Sequence, residues 1–177
     1  MTRSSGHLRN EEEFASVIST SLTIRAAVAQ DIEAIADLWC LQQDSQVTES
    51  PSWESDSLTR KSYSSELFDL LDQPDHIVRV MISSGKIIGF VRGEFTEESA
   101  NSEQERRGLI SEILVDPALR DVGVGATLVK SVVEALHSRG VTQVDATVDA
   151  LDHESIRILE RTQFELSQVT LSCKIED

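Results

Sequence analysis

The stretch that most constrains this chain is Leu109–Val129, LISEILVDPALRDVGVGATLV. A run rich in β-branched residues closes on Asp116-Pro117. A short loop follows, and Arg120-Asp121-Val122-Gly123-Val124-Gly125 opens an apolar pattern of helical period. The first N–H groups of a helix have no intrahelical acceptor and converge on one spot. Glycines there accept positive φ and let a ligand come close to the backbone. A strand feeding such a turn is a site for a phosphate-bearing ligand.

The spacing discriminates among phosphate sites. A P-loop needs a Lys-Ser/Thr pair after its last glycine, and none follows here. A dinucleotide fingerprint needs GxGxxG directly after the strand. Gly123 and Gly125 supply only its first two glycines, although Asp145 stands at roughly the spacing of a ribose-binding carboxylate. Asp116–Val122 also separates strand from glycine where that fingerprint requires a tight turn.

The rest of the chain supports an α/β reading. Its 177 residues suit one domain with a sizeable core. Residues 1–20 read as a polar N-terminal extension, with a mobile character and a short helix around Glu12–Ile18; residues 21–177 form the domain. Leu22–Arg25 alternates as a strand. Gln30–Gln43 and Leu58–Leu71 have helical periodicity, with a loop over Gln46–Ser57 between them. His76–Ile82 and Ile87–Phe95 pair as a hairpin across Ser83-Ser84-Gly85-Lys86. Thr96–Arg107 is an acidic connection. Leu109–Val115 and Val141–Val148 are strands. Gly125–Ser138 is an amphipathic helix ended by Gly140. A last helix runs from Asp152 or His153 to about Thr162, and Phe164–Ile175 is a final extended segment. The order β-α-α-β-β-β-α-β-α-β predicts a mixed sheet with helices on both faces.

Composition excludes several functions. The formal net charge of −15 argues against nucleic-acid binding, which depends on neutralising phosphates. It reads as a solvated, solubilising surface, and it would also steer a cationic substrate. No apolar run approaches the roughly 20 residues of a membrane span. The N-terminal MTRSSGHLRNEEEF lacks the apolar region of a secretory signal, so the expected location is the cytoplasm. Cys40 and Cys173 lack metal-ligand spacing. They read as buried thiols, and no metal is expected.

Val-Asp-Pro followed by Arg120-x-x-Gly123-x-Gly125 and Ala-Thr-Leu-Val resembles the acetyl-CoA signature of the GNAT N-acetyltransferase superfamily, Q/R-x-x-G-x-G/A. The resemblance extends from about Leu22 to the C-terminus. It implies a single-domain GNAT fold with a splay between the central strands, and acetyl-CoA as co-substrate. It implies pyrophosphate binding on the amides of Asp121, Val122, Gly123, Val124, Gly125 and Ala126, with Arg120 adding charge or holding the loop. The free backbone of Ile113, Leu114 and Val115 would then pair with the pantetheine arm. The acceptor would be a small-molecule or peptide amine, with no nucleic acid and no membrane. The resemblance also allows a homodimer, which no residue demonstrates.

Direct transfer to an amine needs a base and oxyanion donors, and the departing thiolate usually gains a proton. Glu112 is the expected catalytic base, because a carboxylate on an apolar strand face is costly unless paired or facing a wet cleft. Strict alternation places it on one face with Ile110 and Leu114. Asp152–Phe164 resembles the family's N-x-x-A-x-x-L-Y-E-K-x-G-F. Asp152 replaces Asn, as a coenzyme contact or a helix cap. Leu159 replaces the tyrosine that commonly protonates the thiolate, and Gln163 replaces the glycine. Tyr63, the only tyrosine, reads as a pocket wall or a surface residue rather than a substitute acid. The missing acid motivates an alternative, a catalytically weak or inactive acyl-CoA-binding sensor or structural module.

Overall fold

The computed structural model describes residues 22–46, 59–95, 106–150 and 152–168. The N-terminal extension, most of the Gln46–Ser57 and Thr96–Arg107 connections, Cys173 and most of the expected final strand lie outside these residues. Residues 164–168 are described and form no strand.

Among the described residues, five strands form one sheet in the order β1 to β5: β1 Thr23–Ala26, β2 His76–Ser83, β3 Lys86–Phe95, β4 Arg106–Val115 and β5 Val141–Ala146. Neighbours are antiparallel except β4 and β5, which run parallel. The helices are α1 Ile32–Gln46, α2 Arg60–Leu71, α3 Val124–His137 and α4 His153–Glu160. None among the described residues is long and apolar enough to cross a membrane. The β2–β3 hairpin turns on Ser84 and Gly85 at φ +50° and +77°, the paired left-handed conformation whose twist matches the strands.

Two cores lie on the two sides of the sheet. Helix α3 presents Leu128, Val129, Val132 and Leu136 to Ile77, Met81, Val91, Ile110 and Ile113. Helices α1 and α2 present Ile35, Leu38, Tyr63 and Leu67 to Val78, Val80, Phe90 and Leu114. This is the expected mixed sheet with helices on both faces. Arg25 fastens β1 to the turn before α1 with a two-toothed ion pair to buried Asp31, at 2.6 and 2.8 Å.

Strand alternation breaks once where it matters. Arg92 pairs with Glu112 but the next residue, Gly93, pairs with Ile110. Ser111 is therefore an extra residue in β4, a β-bulge. It reverses the phase of the strand: Ile110 and Ile113 enter the α3 core while Leu114 enters the α1/α2 core. The expectation that Ile110 shares a face with Glu112 and Leu114 is corrected by this insertion. Glu112 and Leu114 share the α1/α2 side, and Ile110 faces the other way.

Helix α3 packs close to the sheet because glycine lies beneath it. A Cβ at Gly93 would sit 2.5 Å from Val132 Cγ1, inside van der Waals contact. Gly93→Ala should cost about 1–3 kcal/mol, the usual penalty for overpacking, read as a lower urea midpoint with an unchanged slope. An unchanged midpoint would mean that α3 is free to move outward.

Candidate functional site

Beyond Ile110↔Ala146 the β4–β5 ladder stops, although β4 continues for five residues to Val115. Among the described residues, the edge of Ser111–Val115 that faces β5 thus lacks a strand partner. This is the splay the fold class implies. The opening is a cleft of about 170 Å3 lined by Trp39, Ser111–Leu114, Ala146–Asp149, Asp152 and Ser155, among others. The side chains of Ile113 and Leu114 are buried on opposite faces of the sheet. What these residues offer the cleft is backbone.

Glu112 stands in this opening and is held from above. Tyr63 Oη donates to Glu112 Oε1 at 2.9 Å. Tyr63 is itself stacked on Trp39 of α1, with ring centroids 4.9 Å apart. Helix α2 can deliver Tyr63 because its start is fixed twice. Thr59 and Ser62 form a reciprocal cap. Arg60 reaches across to Glu33 and Asp37 of α1 at 2.7 and 2.8 Å. On the neighbouring strand Arg92 donates through Nε to Ser111 Oγ at 2.9 Å and approaches Glu66 at 3.3 Å.

Burial pushes the Glu112 carboxyl above its ordinary range. The Arg92 charge and the Tyr63 hydrogen bond act in the opposite sense without cancelling it. The Tyr63 hydroxyl is pushed up by burial and by the Glu112 charge, so it stays protonated as a donor. A carboxyl raised by desolvation and facing a cleft is a stronger base than an ordinary carboxylate, as proton uptake requires.

The glycine turn adjoins this cleft at the far end of β4. Asp116 accepts from the Ala118 N–H at 3.1 Å and starts a single 3-10 turn, Pro117–Leu119. Asp121 and Gly123 then take positive φ, +64° and +93°. Gly123 caps α3, and the first helical bond is Thr127 N–H to Gly123 O at 3.0 Å. The N–H groups of Val124, Gly125 and Ala126 therefore precede the helical ladder. Val124 buries its side chain in the core, whereas Val122 is exposed. Gly125 also lets α4 come close, since a Cβ there would lie 2.6 Å from Ile158 Cδ1 and that side chain would have to shift.

Among the described residues, three arginines surround the turn in a chain that is otherwise strongly acidic. Arg120 Nε meets Glu154 Oε2 at 2.7 Å. Arg157 of α4 and Arg161, which caps the end of that helix, approach Asp121 Oδ1 at 3.9 and 3.8 Å. Burial raises the Glu154 carboxyl and the Arg120 charge opposes that rise. Asp152 accepts from the Ser155 N–H at 3.0 Å, so it caps α4 while lining the cleft.

The expected residues fall into two adjoining groups. Glu112, Ile113, Leu114 and Asp152 line the splay. Val115, Arg120, Asp121, Gly123, Val124, Gly125 and Ala126 line the crevice at the turn, with Val122 between them in sequence. Sequence reasoning passed over Arg157 and Arg161, whose i, i+4 spacing in an acidic chain was the available signal. It also passed over Arg92 and Ser111, which only the strand register brings to Glu112. Leu159 is buried in the α3 core and brings no polar group to the cleft.

Comparison with known proteins agrees with this architecture. The model of the acetyltransferase (GNAT) family matches residues 33–164. An aminoglycoside N-acetyltransferase solved in complex with CoA superposes with a TM-score of 0.71 at 14% identity, covering 89% of this chain and 96% of that one. Glucosamine-6-phosphate N-acetyltransferase from Arabidopsis thaliana gives 0.64 at 16% identity, covering 88% and 99%. A transcriptional regulator from Bacillus halodurans gives 0.66 at 19%, covering 88% and 100%. No curated protein sequence matches. These identities carry the fold alone, but the family model spans most of the chain: the protein belongs to the GNAT acetyltransferase family.

Proposed function

We propose that this protein transfers an acetyl group from acetyl-CoA directly to a primary amine, with Glu112 as the base that accepts the amine proton. The observation that carries this reading is the Tyr63–Glu112 hydrogen bond inside the splay, next to a helix N-terminus whose amides precede the ladder. The donor set fits the coenzyme. The amides of Asp121, Val122, Gly123, Val124, Gly125 and Ala126 and the charge of Arg120 suit a pyrophosphate. The free β4 edge at Ile113, Leu114 and Val115 suits an amide-bearing arm, and Asp152 borders it. Acetyl-CoA, when bound, supplies the activated acyl group. The chain's own work is to hold that group against the splay, to let a backbone N–H support the oxyanion, and to remove the amine proton through Glu112; coenzyme A would leave as its thiolate, which a thiol pKa of about 8.5 allows, and take its proton from water. Trp39 and Tyr63 wall the acceptor side.

Glu112, Asp149 and Asp152 line the cleft, and no Lys or Arg does so among the described residues. That lining favours an acceptor arriving as an ammonium ion. The aminoglycoside N-acetyltransferase neighbour takes an acceptor of this kind. The test is acetyl-CoA turnover, followed by thiol release, against a panel of cationic small amines, amino acids and peptides. Turnover with at least one amine is expected.

The buried Leu159 favours a second reading, an acyl-CoA-binding sensor, because the usual acid is absent. A protein that binds acetyl-CoA tightly and turns over no amine in the panel is that sensor. Under the catalytic reading Tyr63→Phe moves the acidic limb of the pH–rate profile upward, since the lost hydrogen bond stabilises the carboxylate. An unmoved limb would show that Tyr63 does not govern Glu112 ionisation.

A further inference from the structure

A second cleft lies away from the splay, and Arg79 is its unusual member. Arg79 sits in β2 between Ala26 of β1 and Val91 of β3. Its Nε is buried with no hydrogen-bond partner, and no ion pair to Arg79 is found among the described residues. A buried guanidinium N–H left unpaired is costly. The cleft beside it encloses about 630 Å3, within the range of small-molecule sites.

The lining is amphipathic and locally basic. Ala27, Leu71, Ile77 and Ala135 supply apolar surface, and Arg139 supplies a second guanidinium. Arg139 is steadied over the Phe95 ring, 5.8 Å from its centroid. Asp72 is the one carboxylate among the described lining residues, and it is exposed. Two nearby carboxylates, Asp75 and Glu94, are engaged by the two ring nitrogens of His76 at 3.1 and 2.9 Å. In a chain of net charge −15, this cleft reverses the local sign.

We propose that this cleft binds a small amphipathic organic anion, its carboxylate on Arg79 and Arg139 and its apolar body against Ala27, Leu71, Ile77 and Ala135. The Arg79 fork would gain the acceptor that its Nε lacks. The site is independent of acetyl transfer, since it shares no lining residue with the splay or the glycine turn.

The test is a titration of the full chain with sodium benzoate at constant ionic strength, followed by thermal unfolding and by the Arg Nε–H resonances. The wild type should show a saturable rise in Tm and a shift of one buried Nε–H. Gly123→Asp, which disables the other candidate anion site, should keep both. Arg79→Met should weaken the apparent affinity at least tenfold. If that variant fails to fold, Arg79→Lys keeps the charge, loses the fork and should show the same weakening. No saturable response, an equal response in the Arg79 variants, or a response that Gly123→Asp removes would overturn the proposal.

Discussion

Glu112→Gln is expected to lower acetyl-transfer turnover by about 10²–10⁴-fold, the usual contribution of a positioned base, while leaving acetyl-CoA affinity within a few-fold. Gln keeps the shape and still accepts from Tyr63, so the loss isolates proton uptake from packing. The pH profile separates this from a structural effect. The base works only when ionised, and burial raises its pKa. Activity of the wild type should therefore rise with pH along a limb lying above the ordinary carboxylate range, and the Gln variant should lack that limb. An unchanged profile removes Glu112 as the base.

The same substitution should move stability the other way. A carboxyl whose folded pKa is raised favours the protonated form in the native state. It imposes no penalty below the unfolded pKa of about 4.3, and an increasing one as pH rises through the folded value. Glu112→Gln should accordingly be more stable than the wild type at neutral pH. That gain should fade as pH falls through the ordinary glutamate range. Paired Tm measurements across pH check the sign, and a gain that persists unchanged in acid would contradict it.

Gly123→Asp is the second large effect. The expected result is a folded protein that has lost at least about 100-fold in affinity for CoA, since two charge-assisted bonds of ~1.5 kcal/mol each exceed two decades. A Cβ at Gly123 meets nothing within 4 Å, so the fold itself has room for the side chain. The cost to folding is the left-handed conformation, φ +93°, roughly 1–2 kcal/mol for an L residue and least for Asp or Asn. The carboxylate would stand in ligand space, occupy the amides that precede the ladder and repel phosphate. Calorimetry with CoA reads the affinity, and an unchanged value would remove the glycine turn as the phosphate site.

Much of this was legible along the chain. The boundaries of α3 were expected at Gly125–Ser138 and lie at Val124–His137, because a glycine cap and an apolar stripe are local signals. The hairpin turn at Ser84-Gly85 was legible for the same reason. Strand β5 was expected to reach Val148 and ends at Ala146. Its apolar pattern continues, but the partner strand diverges there, and divergence of a partner is not written in the strand itself. The first two residues of β4, Arg106 and Arg107, read as the end of a loop because their charges carry no period. They are strand because β5 pairs with them.

The chain alone thus determined the order of the elements from β1 to α4, the glycine turn and the presence of a carboxylate in the central strand. Each follows from spacing between near neighbours. Only the tertiary structure decided where that carboxylate points. One extra residue, Ser111, shifts the phase of β4 and turns Glu112 toward α1 and α2, under Tyr63 from a helix 49 residues away in sequence. A bulge is defined against a partner strand and not within its own, so a reading of alternation in β4 could not contain it. The same holds for Arg79, whose unpaired Nε becomes visible only when the strands and α3 close around it.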